Sequence, residues 1–144
     1  MERVRLSFPA EQVMHRHPLT VRITDMNYGR HLGHDALVSL LHEARVAALA
    51  SRDLHEWNLG GYPSMAADLA VQYQAETRWP DALVVETAIP APGRKAISVY
   101  HRILRKADGV TVATARINLM LVEAQSGRPV AIPDAVRAAL AGVS

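Results

Sequence analysis

Residues able to do chemistry crowd the stretch from Val21 to Arg45, VRITDMNYGRHLGHDALVSLLHEAR. Asp25, Asn27, His31 and His34 supply a carboxylate, an amide and two imidazoles, with Gly29 and Gly33 between them. They stand just before an apolar run that begins near Asp35. Polar groups at the start of a helix meet its unpaired N–H groups and the positive end of its dipole. Such a site can polarise a carbonyl and hold an oxyanion, where one donor is typically worth about 3–4 kcal/mol. Gly33, lacking Cβ, either admits a substrate close to those N–H groups or simply makes a tight turn. Asn27 either orients water or a carbonyl through its amide or serves as a turn residue. Asp25 suits an Asx-turn that ties the loop down, and a carboxylate held that way makes a poor base. His34 either contributes to the site or caps the helix.

Glu43 stands further along the same run. At about 100° per residue it lies roughly 120° from the centre of the Leu37/Leu41/Ala44 stripe. A carboxylate on a largely buried helix is costly unless paired or useful, and partial burial would raise its pKa. Arg45, two residues on, points elsewhere. Other chemistries have little support. The seven histidines include no HExxH spacing, there is no cysteine, and no G-x-S-x-G elbow occurs. No metal site and no cofactor are therefore expected.

The elements that must position these groups follow from periodicity. His17 to Thr24 alternates Leu19, Val21 and Ile23 with polar residues and predicts a strand. A helix is predicted from Asp35 to Arg52. Val38, Val46 and Leu49 lie outside its main stripe, which predicts burial on most sides. Leu54 to Pro63 reads as a loop. Four further strands are predicted at Ala66–Glu76, Ala82–Ile89, Lys95–Lys106 and Val110–Glu123, in meander order. Ala107-Asp108-Gly109 turns the last hairpin. A short helix spans Ala135 to Leu140. The class is α+β: about five antiparallel strands wrapped round one long helix. Asp68 falls off the apolar face of its strand, and Arg94 and Lys95 precede another strand after Pro90–Gly93.

At 144 residues, 49% hydrophobic and 21% charged, the chain suits a single domain spanning residues 1–144. Its net charge of +2 comes from scattered Arg and Lys, with no basic run to suggest nucleic acid. No apolar stretch reaches the roughly 18 residues of a membrane span, and the first residues lack the run of a signal peptide. The absence of cysteine fits a reducing cytosol.

The pattern D-x-N-Y-G-x-H-L-G-H-D at Asp25–Asp35, followed by an apolar helix containing H-E-A-R, resembles the hotdog-fold acyl-CoA thioesterases of the 4-hydroxybenzoyl-CoA thioesterase type. The order of elements matches over nearly the whole chain. The resemblance implies a hotdog fold, hydrolysis of an acyl-CoA thioester, and a homodimer or homotetramer with substrate across the subunit boundary. Asn27 stands where many members of that type place a catalytic Asp, and an amide cannot act as base or nucleophile. The resemblance therefore moves that role to Glu43, with Asn27 and His31 orienting substrate or water. It casts Gly33 and His34 at the thioester oxygen and Asp25, beside the substrate, as usually a structural tie of the turn. By position on their strands, Asp68 either faces a neighbouring subunit's site or is an ordinary polar residue, and Arg94 and Lys95 either meet the coenzyme A phosphates or are solvated surface charges. Coenzyme A enters as part of the substrate. Two other classes share the fold: a non-catalytic acyl-CoA sensor, and a hydratase or dehydratase using a His with a carboxylate.

Overall fold

The computed structural model describes residues 1–142. A 3-10 turn, Ala10–Gln12, leads into β1 (Val13–Thr20). After a second 3-10 turn, Ile23–Asp25, come α1 (His34–Ala50) and β2 (Ser64–Tyr73). Then follow β3 (Ala82–Ala88), β4 (Ala96–Arg105), β5 (Thr111–Leu121) and α2 (Asp134–Ala141). The five strands form one antiparallel sheet in the order β1-β3-β4-β5-β2.

Two expectations change here. The meander comprises β3, β4 and β5 only. β2 pairs with β5 at the far edge instead of lying beside β3. The first strand also ends earlier than the alternation implies. The Arg22 N–H donates to Asp25 Oδ2 at 2.8 Å and closes a local turn, so Ile23 leaves the sheet and is exposed. Pro18 is tolerated in β1 because that strand lies at an edge.

α1 forms because Leu37, Leu40, Leu41, Ala44, Ala48 and Leu49 bury one face. Leu37, Leu41 and Ala44 pack with Val21, Leu83, Val85 and Ile103, while Leu49 joins a second cluster with Ile97, Leu119 and Leu121. Each fully buried Leu or Ile is worth about 1.5–3 kcal/mol. The helix is less enclosed than its composition suggests, for Val38 is 38% exposed. Its packing is uneven: the helix backbone lies closest to β1 and β3, Leu41 and Leu49 reach β4 and β5, and its seam with β2 stays open. Among the described residues, no helix is long and apolar enough to cross a membrane.

Candidate active site

The loop before α1 is built round Asp25. Its carboxylate accepts from the Arg22 backbone and guanidinium, and its carbonyl accepts from Gly33 N–H at 2.9 Å. Burial pushes this carboxyl up, but the Arg22 bonds outweigh burial and hold it below the usual carboxylate range. Asp25 is thus a buried tie between the two ends of the loop, with its oxygens committed to Arg22 rather than to a ligand. A lowered carboxyl pKa adds stability that is complete above the ordinary value of about 3.9 and is lost as pH falls through the lowered one. Asp25→Asn is expected to cost about 1–2 kcal/mol at pH 7. In urea melts the gap from wild type should close below about pH 4.

Asn27 Oδ1 accepts from Gly29 N–H at 2.9 Å and from His31 N–H at 3.2 Å. The carbonyl end of the amide shapes the turn, and only its NH2 remains to donate outward. Arg30 takes a left-handed conformation, φ 64°, to complete the turn. Gly33 is the N-cap, and a Cβ there would lie 2.8 Å from Asp35 Oδ1 and 3.5 Å from the Asp25 carbonyl. The nearer contact is to the end of an exposed side chain, so turn packing leaves room for a Cβ at the cost of moving the Asp35 carboxylate. The first helical bond runs from Leu37 N–H to the Gly33 carbonyl, so the N–H groups of His34, Asp35 and Ala36 have no acceptor among the described residues.

Asn27, His31 and His34 line one cavity of about 310 Å³, together with Tyr73 and Glu76. The His34 ring meets Tyr73 edge-on, with centroids 5.1 Å apart. His31 Nδ1, sealed from solvent, lies 3.6 Å from Glu76 Oε2. The segment bearing Glu76 is held there from two sides. Leu32 N–H donates to the Thr77 carbonyl at 3.0 Å, and Arg105 donates to the Glu76 carbonyl. Glu76 is the group sequence reasoning missed: it reads as the last residue of a strand, 45 positions from its histidine.

The remaining expected residues lie elsewhere. Glu43 is not partly buried; its side chain is 60% exposed and meets His17 Nε2 at 2.6 Å. Nine residues at about 100° each put it opposite His34 on α1, facing away from the cavity. Arg45 pairs instead with Glu56 at 2.9 Å. Asp68 is exposed on β2 and accepts from Asn118 at 2.8 Å. Arg94 and Lys95 are exposed before β4, whose far end adjoins the Glu76 segment. Ten strand residues, roughly 30 Å, separate them from the cavity. Among the described residues no cluster of three or more His, Asp or Glu side chains could hold a metal.

The cavity is the first of three along the α1–β2 seam. Val38 and Leu69 line a second of about 120 Å³. His42, Arg45, Ser64 and Ala66 line a third of about 310 Å³. The seam suits an elongated ligand with one end at the helix N-terminus.

Residues 21–140 match the family described as the thioesterase-like superfamily. The L-carnitine dehydrogenase/betainyl-CoA thioesterase of Agrobacterium fabrum is 28% identical over 116 residues. The match takes in 80% of this chain and 24% of that protein, so the chain spans about a quarter of that relative's length. Among solved structures, a 1,4-dihydroxy-2-naphthoyl-CoA thioesterase from Synechocystis superposes with a TM-score of 0.80 at 16% identity, covering 88% of this chain and 94% of its own. A 4-hydroxybenzoyl-CoA thioesterase variant complexed with 4-hydroxybenzoyl-CoA gives 0.78 at 16% identity, covering 87% and 96%. These two likenesses bear out the hotdog architecture.

Proposed function

Because the chain belongs to the thioesterase-like superfamily, we propose that it binds an acyl-CoA along the α1–β2 seam and hydrolyses the thioester at the N-terminus of α1. The observation that carries this reading is the cavity in which His31, backed by Glu76, faces Asn27 beside three unpaired helix amides. The names of the similar proteins support the substrate class, since each carries a CoA thioesterase activity.

In the proposed mechanism the thioester oxygen sits at the N–H groups of His34 and Asp35, where the dipole opposes its developing charge. The Asn27 NH2 donates to water or to the carbonyl. Glu76 beside Nδ1 favours the tautomer protonated there, which leaves Nε2 to accept a proton from water. The resulting hydroxide adds to the thioester carbon. The tetrahedral oxyanion then collapses, the C–S bond breaks, and the imidazolium returns the proton to the departing CoA sulfur. The 3.6 Å gap between His31 and Glu76 closes by rotation of the exposed Glu76 side chain. The steps use no metal or prosthetic group. Arg30 and Arg78, exposed on the loops beside the cavity, meet the coenzyme A phosphates.

A homodimer fits this reading. The edge strand β2 exposes Met65, Leu69 and Tyr73 along the seam, and a second copy added there would cover both edge and substrate. Glu43 has a second reading, favoured by its 2.6 Å pairing with His17. This exposed carboxylate–imidazole pair acts on substrate only if another copy brings its own seam against that face.

Steady-state hydrolysis separates the two. Glu76→Gln is expected to lower kcat roughly 10- to 100-fold and to alter the pH–rate profile, while Glu43→Gln stays within about threefold of wild type. The reverse order would move the base to Glu43. A wild type that binds acyl-CoA and releases no thiol would be a sensor. One that adds or removes water on the acyl chain would be a hydratase or dehydratase.

A further inference from the structure

Beneath the middle of the seam lies a polar group that the hydrolytic steps leave unused. His101 sits on β4 between Val99 and Ile103, on the face under α1, and is 1% exposed. Its Nδ1 meets Thr87 Oγ1 at 2.9 Å. Its Nε2 is sealed from solvent and has no partner among the described residues. A buried ring nitrogen left unpaired is costly enough to call for an occupant. The ring lines the 120 Å³ cavity, whose apolar walls are Val38, Leu41, Leu69 and Ile117. Arg45 and His42 complete the lining, and both are paired with Glu56. Burial first, and the Arg45 charge second, push the His101 imidazole down to about 3. The ring is therefore neutral near pH 7 and offers one donor and one acceptor nitrogen.

We propose that this cavity is the acyl-end subsite of the hydrolytic site, selecting an unbranched aliphatic acyl group whose terminal hydroxyl pairs with His101 Nε2. The proposal rests on the reading that the thioester sits at the α1 N-terminus. From His34 to Val38 and Leu41 is four to seven residues, roughly 6–10 Å along the helix. An acyl chain of about six carbons spans that at roughly 1.2 Å per bond, as in extended backbone. The small volume favours a narrow chain over a ring, since a cavity of about 150 Å³ is what takes benzene and this one is about 120 Å³. A carboxylate end would need a free cation, and Arg45 is already paired. An ammonium end would face that same Arg45 charge. A hydroxyl donates or accepts and so suits either tautomer of His101.

The test uses 6-hydroxyhexanoyl-CoA and heptanoyl-CoA, which exchange a hydroxyl for a methyl. kcat/KM and calorimetric Kd are measured for both with wild type, His101→Leu and His101→Gln, after urea melts identify the folded variants. Wild type is expected to prefer the hydroxyl about tenfold, the worth of one buried hydrogen bond. His101→Leu should erase or invert the preference, and His101→Gln should keep part of it. A leucine variant with the wild-type preference, or a wild type with none, overturns the proposal and leaves the cavity to ordered water. Should the leucine variant not fold, a reduced preference in His101→Gln supports the subsite, and an undiminished preference overturns it. If wild type hydrolyses neither compound yet binds the hydroxylated one about tenfold more tightly, the hydrolytic reading fails while the subsite stands.

Discussion

His31→Ala is expected to lower kcat for acyl-CoA hydrolysis by about 10²- to 10⁴-fold, the usual contribution of a positioned general base. KM should change little, because the ring works on water rather than on the bulk of the substrate. Two structural features make the effect large. His31 shares a cavity with Asn27 and Glu76, and its Nδ1 is shielded from solvent beside a carboxylate. The Leu32–Thr77 bond fixes the loop that carries the ring, which holds it at the cavity wall. The limb of the pH–rate profile that reports a deprotonated base should vanish with the ring. A variant retaining more than about a third of wild-type kcat would remove His31 from the chemistry.

Leu41→Ala is expected to destabilise the protein by about 3–4 kcal/mol in urea unfolding. Leu41 is 2% exposed and packs with Val21, Leu83, Val85 and Ile103. Truncating a buried Leu loses the transfer energy of its methyl groups and leaves a void, typically costing 2–5 kcal/mol together. The middle of that range applies because Leu41 already borders the 120 Å³ cavity, so the new space merges with an existing void instead of collapsing. In a thermal melt this corresponds to roughly 10 °C. A loss under about 1 kcal/mol would mean that α1 is not anchored on this face, and the placing of its N-terminus would lose its support.

Much of this architecture was legible in the residues themselves. α1 announced itself through Leu37, Leu41, Ala44 and Ala48, and β4 and β5 through clean alternation, because burial imposes those periods directly. The place of β2 was not legible: alternation says which residues share a face and nothing about which strand lies alongside. Ile23 continued the β1 alternation, but the Arg22–Asp25 turn outcompeted the sheet there. The expected partial burial of Glu43 was not met for a related reason. A residue roughly 120° from the stripe lies at the margin of the buried face, and only the uneven packing of α1 decides that it faces water. The pairing of His31 with Glu76 depends on a loop-to-loop hydrogen bond, for which single-sequence patterns carry no signal. His101 had a signal that went unused: it completes the series Ile97, Val99, His101, Ile103 on the inward face of β4.

The most direct test of the account is free-thiol release from a panel of acyl-CoAs, with wild type, Asn27→Ala and His31→Ala assayed side by side. The account predicts turnover by wild type, a fall of about tenfold or more for Asn27→Ala through its lost amide donor, and a larger fall for His31→Ala. No turnover of any acyl-CoA by wild type, or turnover unchanged in both variants, would contradict a thioesterase site at the N-terminus of α1.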